Sequence, residues 1–138
     1  MHERLTGTWR LLSAVMEDVE SGVQTRPWGE RPNGRLILTP AARWMVIQTA
    51  EGRQRAKDDL EHAAAFRSML AYSGTYRIDA DKITINVDIS WDEAWVGTDQ
   101  IRLIKLEGDR LHIEALPQPY ANWGGKAMRG LLTWERDS

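Results

Sequence analysis

Residues 83–89 read ITINVDI, which sets Ile83, Ile85, Val87 and Ile89 on one side of an extended chain and Thr84, Asn86 and Asp88 on the other. Strict alternation of this kind fits a half-buried β-strand and no helix, because a helical stripe needs spacings of three and four. The same period recurs along the 138-residue chain. Gly7 to Met16 alternates imperfectly, with Trp9, Leu11, Ser13 and Val15 sharing a face. Arg35 to Thr39 and Arg43 to Thr49 (RWMVIQT) are rich in β-formers and are divided at Pro40. YSGTYRI groups Tyr72, Gly74, Tyr76 and Ile78, and Asp79-Ala80-Asp81 turns it into ITINVDI. TDQIRLIKLEG and RLHIEAL form a hairpin about Glu107-Gly108-Asp109, and AMRGLLTWER is the closing strand. The polar stretch between Met16 and Arg35 holds Pro27 and Pro32 and ends in Asn33-Gly34, which predicts a long loop and a tight turn.

One segment breaks the period. Asp58 to Leu70 begins with capping aspartates, contains Ala63-Ala64-Ala65 and sets Ala63, Phe66, Met69 and Leu70 on one stripe, predicting a helix. About eight strands joined by short turns is the number at which an up-and-down barrel closes around its own side chains or one small ligand. The expected fold is all-β, a single antiparallel barrel with one short helix, forming one domain over residues 1–138.

Composition removes several functions. Eighteen Lys and Arg oppose twenty Asp and Glu, so no uniform field draws nucleic acid or a membrane surface. Without cysteine there is no disulfide framework or thiolate metal site, which fits a reducing cytoplasm. The opening MHERLTGTWR lacks the apolar core of a secretory signal, and no apolar run approaches the roughly 20 residues of a spanning helix. His2, His62 and His112 share no ligand spacing, so no metal is expected, nor any other cofactor. Nucleophile-elbow, phosphate-loop and dinucleotide motifs are missing as well.

Several blocks in order carry a resemblance: LTGTWRLLS, RPWGERPNGRLILTP, LAYSGTYRID, WVGTDQIRLIKLEGDRLHIEA and the terminal LLTWER. Together, from about Leu5 to Arg136, they resemble the bacterial lipocalin-like domain family. The resemblance implies a calycin-type barrel with an interior cavity and no particular reaction. It also implies that Trp9 closes one end of the barrel beneath an arginine of the last strand, Arg136 as the natural partner here and Arg129 as the alternative. Two departures stand out: Ile85 and Asn86 occupy positions where relatives often carry a histidine pair, and Ala41-Ala42-Arg43 replaces an Asp-Gly turn.

Seven Trp beside one Phe is an unusual ratio. Trp28, Trp91, Trp95 and Trp123 fall in or beside predicted loops, where they can rim a mouth. The leading expectation is a barrel that binds a small hydrophobic or aromatic molecule, with Ile85 and Val87 in an apolar wall, Tyr72 and Tyr76 as polar handles, and Trp91, Trp95 and Trp123 at the rim. Arg102 is open to two readings. If Gln100, Arg102, Ile104 and Leu106 point inward, it is a buried cation that needs a carboxylate or an anionic ligand group; otherwise it faces solvent. The enzyme alternative is a cofactor-independent isomerase or cyclase using Tyr72, Tyr76, Arg102 and His112. His112 and Glu114 lie opposite Leu111, Ile113 and Ala115, which favours a solvent-facing pair. Asp92-Glu93 between two tryptophans reads as loop charge. A third alternative makes the Trp-rich rim a protein interface, a homodimer included.

Overall fold

The computed structural model describes residues 2–119 and 125–137. Along the chain lie α1 (His2–Leu5), β1 (Gly7–Asp18), β2 (Gln24–Thr25), β3 (Asn33–Leu38), β4 (Arg43–Thr49), α2 (Asp59–Arg67), β5 (Met69–Asp79), β6 (Lys82–Ser90), a 3-10 turn (Glu93–Trp95), β7 (Asp99–Glu107), β8 (Arg110–Pro119) and β9 (Ala127–Arg136). Every pairing is antiparallel, and strands follow chain order around the sheet. β1 pairs with both β3 and β9, which closes an eight-strand barrel; the two-residue β2 adds to β1 at Met16 and Glu17. No helix among the described residues is long and apolar enough to cross a membrane.

The two ends of the barrel differ. Short turns join β3 to β4, β5 to β6 and β7 to β8 at one end, where α1 lies across the opening. His2 Nε2 bonds the Pro40 carbonyl at 3.1 Å, and Leu5 is buried under the strands. Trp9 is fully buried there, donates its indole N–H to the Leu5 carbonyl at 2.9 Å, and carries the Arg136 guanidinium 4.2 Å above its ring. Arg136 in turn donates to the Thr6 carbonyl at 3.0 Å and to that of Arg4. Trp9 is therefore a plug, held by a cation–π contact and by a cation bonded to helix and linker carbonyls. Long connections lie at the other end.

Two bulges revise the expected faces. The β1–β9 register shifts between Leu11 and Ser13, so Trp9 and Leu11 point inward below the bulge while Ala14, not Ser13, is buried above it. On β6, Asp88 is an extra residue opposite the Ser73–Gly74 step, and Ile89, expected inward, is 70% exposed. Asp88 uses its outward position to accept from Ser73 Oγ at 2.6 Å and from Arg43 Nη1 at 3.0 Å.

Asn33-Gly34 is not a turn but the start of β3. Gly34 is buried opposite Gln48, and a Cβ on it would lie 2.8 Å from Leu11 Cβ, so the glycine serves a close approach. The β3–β4 turn, with Ala41-Ala42 and no glycine to ease it, places Ala42 at φ 61°, and β4 follows with Trp44, Val46 and Gln48 buried. The helix is shorter than expected. Asp58 caps it by accepting from the Glu61 amide at 2.8 Å, it stops at Arg67, and Met69 and Leu70 belong to β5.

Candidate ligand cavity

Below the open end the barrel is not filled. A cavity of about 310 Å³ lies between β4, β5, β8 and β9 and reaches up to the long connections. Trp44, Val46 and Gln48 of β4 and Tyr72 of β5 form one wall; Ile113 and Ala115 of β8 with Gly130, Leu132 and Trp134 of β9 form the other. Met16 and Arg102 complete the sides, and Pro27, Trp28, Arg67, Ser68, Met69, Leu70, Trp91 and Trp95 surround the upper part.

Aromatic rings run in contact from wall to mouth. Trp44 stacks on Tyr72 at 6.2 Å between centroids, Tyr72 meets Trp95 at 5.2 Å, Trp95 meets Trp91 edge-on at 5.0 Å, and Trp91 meets Phe66 of α2 at 6.2 Å. Local chain geometry sets this up. Asp92 caps the short 3-10 turn by accepting from the Ala94 amide at 3.0 Å, and Thr98 Oγ1 donates to the Trp95 carbonyl at 2.6 Å, holding Trp95 over the cavity. Asp92 is thus a structural cap.

The polar groups are few. The indole nitrogens of Trp44, Trp91 and Trp134 are buried and have no hydrogen-bond partner among the described residues. Buried donors of this kind are uncommon, since losing water without a replacement costs about 1–3 kcal/mol each. Gln48 is 3% exposed, and no hydrogen bond of its side-chain amide is found among the described residues. Burial pushes the Tyr72 phenol above its ordinary pKa. The adjacent Arg102 guanidinium acts against this, as does the Trp44 indole, which nears the phenol oxygen without a hydrogen bond of ordinary geometry. Arg102 points inward, resolving its two readings: Nη1 donates to its neighbour's carbonyl, Ile101 O, at 3.0 Å, and Nη2 to Gln100 Oε1 at 3.2 Å.

Of the residues singled out from sequence, Tyr72, Arg102, Trp91, Trp95 and Trp28 meet at this cavity. Others lie elsewhere. Tyr76 is two inward positions below Tyr72 on β5: its hydroxyl bonds His2 Nδ1 at 2.8 Å at the plugged end. Ile85 and Val87 are buried in the packed core and do not border the hollow. His112 faces outward, bonded to Thr133 Oγ1 at 3.3 Å and Glu107 Oε1 at 3.2 Å. Trp123 lies outside the described residues. Trp44, Gln48 and Trp134 were missed, although the period of RWMVIQT already put Trp44, Val46 and Gln48 on one face.

A larger hollow of about 410 Å³ indents the outer wall beside His112. His112 is matched as above and Glu114 Oε1 by Arg129 Nη1 at 3.0 Å, and the hollow lies on the solvent side of the barrel wall, so it offers a ligand little that solvent does not. The interior cavity has unmatched donors and an aromatic wall.

A closed antiparallel barrel, plugged at one end and hollow towards the other, defines a class of fold that suggests ligand binding. Residues 6–137 match the lipocalin-like domain family, and the chain belongs to it. No curated protein matches the chain.

Proposed function

We propose that the barrel binds one small hydrophobic or aromatic molecule in the cavity between Trp44, Tyr72, Trp95 and Trp134. The observation that carries this reading is an unfilled interior space of about 310 Å³ lined by aromatic rings whose buried N–H groups lack partners. Protein interiors normally close such voids, and the size lies at the low end of small-molecule pockets. Aromatic faces supply the bulk of the contact, and the few polar groups fix orientation.

The rival reading, a cofactor-independent isomerase or cyclase, keeps two of its four residues. Tyr72 and Arg102 adjoin each other at the cavity, and the raised Tyr72 pKa keeps the phenol a proton donor at neutral pH. Tyr76 and His112 are too far from it to take part.

Tryptophan emission, titrated with hydrophobic aromatics and fatty acids, tests the binding reading. Saturable quenching is expected, reduced in Trp95→Leu, because Trp95 stands at the wall. A flat response across the series would refute it.

A further inference from the structure

We infer that the molecule held in this cavity carries an anionic oxygen group, a carboxylate in the simplest case, that docks on the Arg102 guanidinium. The inference rests on the binding reading above and names the polar end of its ligand.

The first observation is an imbalance of charge. The chain has more carboxylates than cations, yet the described lining of the cavity contains two arginines, Arg102 and Arg67, and no Asp or Glu. The second is what Arg102 lacks. Most outward arginines of the barrel wall are matched, Arg43 by Asp88, Arg35 by Asp137, and Arg129 by both Glu17 and Glu114, and Arg77, which has no ion pair among the described residues, stands exposed in solvent. Arg102 has no ion pair among the described residues; it donates two of its five N–H groups to neutral acceptors on its own strand. Beyond these it meets only the neutral Tyr72 hydroxyl among the described residues, so a permanently charged group is left without a counter-charge in a partly buried position facing an apolar hollow. A charge so placed gains most from a ligand that brings the opposite charge and a matching planar pair of oxygens.

The neutral groups point the same way. The unpartnered indole N–H groups of Trp91 and Trp134 are donors only, so they too favour acceptor atoms from whatever enters, whereas that of Trp44 is directed towards the Tyr72 phenol oxygen. Gln48 and Tyr72 can add a donor or turn to accept. Arg67, exposed at the mouth and without an ion pair among the described residues, extends the positive potential outward, where it can guide an anion in. One interior guanidinium neutralises one negative charge, so the ligand is a monoanion with an apolar body, not a phosphate dianion, which would leave a second charge buried and uncompensated.

The test compares 2-naphthoate with 2-naphthamide, a charged and a neutral ligand of one shape, by titration calorimetry on the full chain at pH 7. The naphthoate is expected to bind at least about tenfold more tightly, a difference of about 1.4 kcal/mol. Arg102→Met should bring the ratio of the two affinities close to one. Arg102→Lys, which keeps the charge but loses the planar fork, should lower the ratio severalfold and serves in its place if the methionine variant does not fold. Arg67→Met should slow association and flatten its salt dependence while the ratio persists. Equal binding of the two ligands by the unaltered protein would overturn the anion assignment and leave hydrophobic binding standing. A ratio that survives both Arg102 variants, or collapses instead in Arg67→Met, would overturn the role of Arg102. Binding of neither ligand would overturn both this inference and the reading beneath it.

Discussion

Gly74→Ala is expected to destabilise the barrel, although alanine usually improves on glycine in a strand. Where the backbone can accept the methyl group, the substitution stabilises a protein by about 0.4–1 kcal/mol because the unfolded chain has less entropy to lose. At Gly74 it cannot. A Cβ built there lies 2.1 Å from the Asn86 carbonyl oxygen and 2.8 Å from its carbon, both far inside ordinary contact, and both atoms are backbone. No rotamer relieves the clash. Relief requires β5 and β6 to part at the β6 bulge, where the ladder already skips from Val87 to Ile89. We expect a cost of about 2–3 kcal/mol, in the range of overpacked cores, and hence a Tm lower by roughly 10 °C for a chain of this size. Gly130→Ala is the matched control: it is also a buried strand glycine, but its nearest neighbours would be Ala115 Cβ at 3.4 Å and Met16 Sδ at 3.6 Å, so its Tm should hold or rise slightly. Thermal unfolding followed by circular dichroism reads both. A Gly74→Ala protein that melts within 2 °C of the parent, or above it, would refute the argument from backbone approach.

Gly130→Val should project its extra carbons into the cavity, weakening ligand binding by more than about tenfold with little change in Tm, as calorimetry and melting can establish together. Asp88 is held below the ordinary carboxylate range chiefly by the Ser73 hydroxyl, aided by Arg43; a depressed folded pKa stabilises above the unfolded value near 4 and is lost as pH falls through the folded one. Asp88→Asn should therefore lower stability at pH 7, and the gap should close in denaturant titrations as pH falls through the folded pKa of Asp88. Tyr72 shows the opposite sign: burial raises its pKa, so the unfolded chain ionises first and stability should fall as pH rises beyond about 10, less steeply in Tyr72→Phe. Arg136→Leu should cost about 2 kcal/mol and deprotect the Thr6 amide, which bonds the His2 carbonyl, in hydrogen exchange, since it removes the cation over Trp9 and the donor to the Thr6 carbonyl.

Period-two patterning made the strands and their number legible, because each strand of a closed barrel keeps one face in the core and one in solvent. It failed at single residues where the period itself broke. Ser13 was grouped with Trp9 and Leu11, and Ile89 with Ile85 and Val87, because alternation was carried straight through Leu12 and Asp88, and a bulge leaves no composition signal in either segment. The Asn33-Gly34 pair misled for a related reason: the dipeptide has the chemistry of a tight turn, but tertiary contact with Leu11 uses the glycine for its missing side chain. The four residues of α1 were too few to show a helical stripe.

The cavity was legible only in part, because it is made by what is missing. Met16, Gly130 and Ala115 are successive neighbours across β1, β9 and β8, and two of the three have almost no side chain. On the same strands nearer the plug, the inward positions are Trp9, Leu11, Trp134 and Leu111, all buried. Large residues fill the lower half of the barrel, and small ones opposite Trp44 and Tyr72 leave the upper half open. A glycine and an alanine in separate strands carry no motif, and their adjacency exists only once the register is known. Arg102 illustrates the complement: its strand offered two equivalent faces, and the choice was made by Ile104, buried against the core two residues away. The packing that buries Ile104 therefore also turns a guanidinium into the hollow left by Gly130 and Ala115.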